Sequence, residues 1–142
     1  GELYATLLDH SILGRMAAQG AGMTSGRRTA FTRGVARGLA ADGFAHAIFG
    51  ARTLALAGEL AAEEVGDWLS GVLIGDEIRA ARSWARERGA DAADVRVIGD
   101  DMMVARYRIA LGEAGIRAEA GPAAVAAQGL FRIARQAGML AS

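Results

Sequence analysis

The chain has 142 residues, enough for one domain around a single core. It contains 20 glycines, one proline and no cysteine, which excludes disulfides, zinc–thiolate sites and cysteine nucleophiles. Its 16 basic side chains balance 16 acidic ones, so it lacks the basic excess of a general nucleic-acid surface. Every basic side chain is Arg, so a lysine phosphate clamp or Schiff base is excluded. Any anion contact must use guanidinium or backbone N–H groups. No apolar run approaches the roughly 20 residues that cross a bilayer. The lack of cysteine fits a reducing, cytoplasmic setting. The start, Gly1-Glu-Leu-Tyr4, is neither a signal peptide nor an initiator, and reads as a cut from something longer.

Residues 2–13 carry Leu3, Leu7, Leu8 and Ile12 at helical spacing. Residues 14–28 are glycine-rich and read as a loose connection. Thr29 is the expected cap of a helix reaching about Ala41, with Phe31, Val35 and Leu39 on one face. Phe44 to Ala57 reads as another helix that stops at Gly58. The longest helix is expected over residues 61–88. Its apolar stripe is Val65, Trp68, Leu69, Val72 and Leu73, with Glu63 and Glu64 in the first turn and Arg86 and Arg88 in the last. Beyond residue 90 the pattern changes. Residues 95–98 are β-branched and stop at Gly99, so they read as a strand. Met102 to Glu113 reads as a helix, Ile116 to Ala120 as a second strand, and Pro122 as the first residue of a last helix. This order implies a parallel strand pair joined by a helical crossover. The tryptophans Trp68 and Trp84, with Phe131, are expected to anchor the core.

Two segments carry the functional argument. The first is Trp68-Leu-Ser-Gly-Val-Leu-Ile-Gly-Asp-Glu77. Glycine within a helix costs about 1 kcal/mol relative to alanine, and Gly71 and Gly75 share one face. That face admits close approach, either by a flat ligand such as a purine or by a neighbouring helix. Glu77 follows and could hold a hydroxyl or sit in a salt bridge. The second segment is Val97-Ile-Gly-Asp-Asp-Met-Met-Val-Ala-Arg-Tyr107. Its Gly99-Asp-Asp101 turn lies at the carboxyl end of a strand, where open α/β sheets gather ligands. The two aspartates oppose a phosphate and favour helix capping or a ribose hydroxyl.

The remaining candidates are less specific. Residues 20–29 fail the P-loop pattern, because Ser25 stands where a glycine is needed and no Lys follows. Arg27 and Arg28 could still meet an anionic substrate. Arg52 reads either as a solvent-reaching side chain or as a partner for a carboxylate. His10 and His46 lack a partner at metal-ligand spacing, and no metal ligands are assigned.

Several stretches, in order, are similar to the 2-dehydro-3-deoxygalactonokinase family. These are residues 1–13, residues 30–39, Phe49-Gly-Ala-Arg52, Trp68 to Glu77, Val97 to Tyr107, and Gly129-Leu130. Within the Trp68–Glu77 string, Leu69 to Glu77 resembles the family's Leu-Ser-Gly-x-Leu-Ile-Gly-x-Glu signature, the most specific piece of the match. The resemblance implies a helix-rich α/β fold: the C-terminal lobe of an actin-like, ribonuclease H-like sugar kinase with a short, mainly parallel sheet. Residues 1–142 would then be one domain, the adenosine-side lobe, with the N-terminal lobe and its phosphate turn missing. It implies transfer from ATP, with Mg²⁺, to the 6-hydroxyl of 2-dehydro-3-deoxy-D-galactonate in galactonate breakdown. Ser70, Gly71, Gly75, Glu77, Gly99, Asp100 and Asp101 would line the nucleotide side. Glu2 and Arg52 would face the sugar acid or the lobe interface. The catalytic residues would lie in the other lobe, leaving this piece inactive alone. The family often has Ser or Thr where Asp100 stands, so a phosphate contact there is not expected. The implied partners are ATP, a small sugar acid and the chain's own N-terminal lobe, with an exposed inter-lobe face open to homodimerisation. No nucleic-acid or membrane partner is expected. The competing expectation is a non-enzymatic helical interaction module, in which the paired glycines serve a protein partner.

Overall fold

Two helices touch backbone to backbone at the centre of the molecule, and the rest is arranged around them. The computed structural model describes residues 1–20, 22–40, 42–90, 94–122 and 124–139. The helices are α1 (Glu2–His10), α2 (Ser25–Leu39), α3 (Phe44–Leu56), α4 (Val65–Glu87), α5 (Asp101–Glu113) and α6 (Val125–Gln136). The strands are β1 (Asp94–Val97) and β2 (Arg117–Ala120). They run parallel, with Asp94 opposite Arg117 and Val97 opposite Ala120, and α5 connects them. The fold is therefore helix-rich α/β with a short parallel pair, as the sequence pattern implies.

Helix α4 is buried on nearly all sides over its first half, where Val65, Trp68, Leu69, Ser70, Gly71, Val72, Ile74 and Gly75 are covered. Glycine at four positions makes this possible. A Cβ added at Gly71 would stand 2.2 Å from the Phe31 carbonyl oxygen, and one at Gly75 would stand 2.4 Å from that of Val35. Reciprocally, a Cβ at Gly34 would meet the Trp68 carbonyl at 2.2 Å, and one at Gly38 the Val72 carbonyl at 2.3 Å. The four glycines form a crossing that no side chain can enter.

Two apolar clusters lie beside this crossing. One joins Leu13, Ala47, Ala51, Leu60, Val65, Trp68 and Leu69 beneath α1 and α3. The other joins Phe31, Val35, Ile74, Ile78, Ala110, Leu111 and Ile116, with Val95 and Val97 of β1 packed against it. That second cluster holds the short sheet against α4.

Several boundaries differ from expectation. Helix α2 begins at Ser25, because Thr24 caps it: the Thr24 Oγ1 accepts from the Arg27 N–H at 3.2 Å. Thr29 lies inside the helix, its hydroxyl donating to the Ser25 carbonyl. Pro122 sits ahead of α6 rather than in its first turn, and its carbonyl accepts from Val125 N–H at 3.1 Å. Trp68 is core, at 2% exposure, but Trp84 and Phe131 are not, at 58% and 59%. Trp84 instead lies under the Arg88 guanidinium, 4.4 Å from its ring centroid. Phe131, like Leu130 and Ile133 of α6, is exposed. Gly58 and Gly89 end α3 and α4 as expected, with φ of +74° and +65°.

Candidate functional site

The carboxyl end of β1 opens onto a cavity of about 510 Å³ between α4 and α5. Its apolar wall comes from Ile78, Val95, Val97, Ile98, Met103 and Leu111. Polar groups reach it from three directions: Glu77 and Arg82 from α4, Arg96 from β1, and Asp100 with Tyr107 from α5 and its cap. Its size and its few convergent polar groups match an ordinary small-molecule site.

Local structure explains why these groups converge. Gly99 breaks the strand, and the Asp100 carboxylate accepts from the Met103 N–H at 2.8 Å, capping α5. This fixes the turn and places Asp100 in the cavity wall. Tyr107 lies two helical turns farther along α5. Its hydroxyl donates to a Glu77 carboxylate oxygen at 2.5 Å. Burial first, and then the Glu77 carboxylate, push the Tyr107 phenol well above its ordinary range. The phenol therefore stays protonated and holds Glu77 in place.

The structure brings Glu77, Gly99 and Asp100 to one cavity. Asp101 is exposed on the first turn of α5 and is not among the lining residues. Ser70 is buried on α4 and does not line the cavity. A nucleotide lying against Gly71 and Gly75 is corrected by the packing: helix α2 fills that face, leaving no room even for a methyl group. Glu2 is exposed at the start of α1, and Arg52 is half-buried on α3. Neither lines this cavity. Sequence reasoning placed Tyr107 at the end of the second segment but gave it no role, and it did not connect Arg82 or Arg96 to the site.

A second polar cluster was also missed. Asp67 is 1% exposed and is gripped by two arginines. Arg27 Nε donates to its Oδ2 and Arg106 donates to its Oδ1, each at 2.5 Å. Arg27 also donates to the carbonyls of Gly20 and Gly22, tying the glycine-rich connection down. Its guanidinium is thus committed internally, against the expectation of a substrate contact. Arg106 lies 5.3 Å from the Phe31 ring centroid. Its Nη1 is buried without a hydrogen-bond partner among the described residues. Burial holds the Tyr4 phenol above its usual range; Asp67 adds to the rise, while Arg106 and Arg27 oppose it.

Among the described residues, no group of three or more His, Cys, Asp or Glu side chains is placed to hold a metal ion. No helix there is long and apolar enough to cross a membrane.

Comparison with known proteins shows the family. The family model described as 2-keto-3-deoxy-galactonokinase matches residues 1–133. A curated relative, 2-dehydro-3-deoxygalactonokinase of Escherichia coli (strain K12), is 32% identical over 108 residues. The match covers 76% of this chain and 34% of the relative, so the chain spans about a third of that protein's length. On the extent of both matches, this chain belongs to the 2-keto-3-deoxy-galactonokinase family.

Proposed function

We propose that this chain is the adenosine-side, C-terminal lobe of an ATP-dependent sugar-acid kinase with a two-lobed, actin-like fold. The reaction is transfer of the ATP γ-phosphoryl group to the 6-hydroxyl of 2-dehydro-3-deoxy-D-galactonate in the cytoplasm. The observation that carries this reading is convergence. Glu77 and the Gly99–Asp100 turn, far apart in sequence, line one cavity at a strand's carboxyl end. The apolar wall suits a purine, and the carboxylates of Glu77 and Asp100 suit ribose hydroxyls. Arg82 and Arg96 supply positive charge at the same cavity. Asp100 and Asp101 at the start of α5 disfavour a phosphate there, so the triphosphate points away from that helix.

Phosphoryl transfer needs phosphate positioning, Mg²⁺ and a base beside the acceptor hydroxyl. The described residues show no cluster suited to Mg²⁺, and no step is derived through it. In this reading those parts come from a second lobe, and the present piece alone does not turn over. Glu2 and Arg52 remain candidates for the sugar-acid or inter-lobe side. An exposed inter-lobe face also leaves room for a homodimer. The interaction-module alternative called for an apolar docking patch on α4 and no cleft beside Gly99. A cavity lies beside Gly99, and Trp84 is the large exposed apolar residue on α4.

Titration calorimetry with ADP tests the reading. Saturable heat is expected, with hydrogen-exchange protection across residues 95–107, and both weaken in Glu77→Ala. No heat and no protection would overturn it.

A further inference from the structure

A second cavity, of about 410 Å³, lies between α2 and α3. Arg33 and Arg37 enter it from successive turns of α2, and His46 enters from α3. Its other walls are Phe49, Gly50, Thr53 and Leu54 of α3, with the Trp68 indole beneath. Among the described residues, no carboxylate lines it. In a chain whose charges balance overall, this is a local excess of cation facing an apolar floor.

Arg33 donates to the Glu59 carbonyl at 3.1 Å, with the Glu59 carboxylate 3.8 Å away, which anchors it at the rim. Arg37 and His46 have no hydrogen bond or ion pair among the described residues. Gly50 keeps the floor open: a Cβ there would stand 2.9 Å from the Trp68 ring, so any side chain would displace the indole. Phe49, at the edge, is an exposed aromatic face. Unpaired guanidinium, imidazole and aromatic surface around one concavity are the elements of an oxyanion site with an apolar lining.

We propose that this groove binds a small metabolite through an oxyanion, carboxylate or phosphate, with Arg37 as the main anchor, Arg33 and His46 at the rim, and Phe49 and Trp68 against its carbon skeleton. The inference stands on this geometry and does not depend on the kinase reading. It is separate from the cavity beside Gly99, with which it shares no lining residue.

The test is an amide NMR titration of this chain with sodium phosphate, sodium pyruvate and, as a neutral control, glucose, at constant ionic strength. Saturable shifts at Gly50 and Thr53 are expected with phosphate or pyruvate but not with glucose. Phosphate alone would identify a phosphate ester as the ligand class, and pyruvate alone a carboxylate. Arg37→Gln should weaken that binding by about tenfold or more, as loss of a charge-assisted hydrogen bond does. Arg15→Gln, a surface change elsewhere, should leave it unaltered. Binding equal in Arg37→Gln and the parent chain, linear non-saturating shifts, or no shifts would each overturn the proposal. An unchanged far-UV spectrum of the Arg37 variant, whose side chain is outside the core, separates loss of binding from loss of fold.

Discussion

The Tyr107 hydroxyl donates to Glu77 at 2.5 Å across 30 residues of sequence, joining α5 to α4 at the mouth of the β1 cavity. The phenol's pKa is raised in the folded state from an ordinary value of 10.0. The folded chain therefore keeps a proton that the unfolded chain releases. Its contribution is complete below about pH 10 and is lost as pH rises beyond that point. Tyr107→Phe should lower stability by about 1 kcal/mol at neutral pH, the usual net value of one hydrogen bond. Urea melts repeated from pH 8 to 11 should show a shallower alkaline decline in the variant than in the parent. Identical slopes would rule out this role for Tyr107.

Asp67 offers a larger effect. Removing its charge leaves Arg27 and Arg106 facing each other in a buried setting. Asp67→Asn should cost roughly 3–5 kcal/mol, the scale for breaking a buried pair by deleting one partner. Asp94→Asn is the comparison, because the Asp94–Arg117 pair is open to solvent at the sheet edge. Its thermal midpoint should stay close to that of the parent. A small effect at Asp67 would mean that the two arginines find other partners.

The α2–α4 crossing predicts an inversion of helix propensity. Glycine to alanine in an exposed helix gains about 1 kcal/mol. At Gly71 and Gly75 the new methyl would strike the opposing backbone, so Gly71→Ala and Gly75→Ala should instead destabilise by about 1–3 kcal/mol, the range for overpacking. Gly112, on α5, meets nothing within 4 Å, and Gly112→Ala should stabilise. Denaturant midpoints of the three variants, compared directly, decide the point.

The start of α2 gives a fourth measurement. Thr24→Ala removes the cap and should cost about 1 kcal/mol. Thr29→Ala removes only a hydroxyl bonded within its own helix and should cost less. The reverse order would place the helix start at Thr29.

Much of this architecture was legible because its signals are local. The 3.6-residue stripe of α4, the strand broken at Gly99 and the glycine stops all depend on neighbours in sequence. The cap of α2 was misplaced because Thr24 and Thr29 carry the same chemistry, and the choice depends on where the glycine-rich connection is pinned by Arg27. For Gly71 and Gly75, spacing revealed close approach but not what approaches. Gly34 and Gly38 show the same four-residue interval, yet only the folded chain sets the two pairs against each other. At the site, the strand-end rule located Gly99 and Asp100. The Tyr107–Glu77 bond and the Asp67 triad join distant residues, and nothing in local periodicity encodes such meetings.

With carbonyl oxygens nested where side chains would normally stand, α2 and α4 cannot slide past one another without steric collision. They behave as a single girder. If ligands drive this chain to open or close, the pair travels as one piece, and the bending falls to the connections around it.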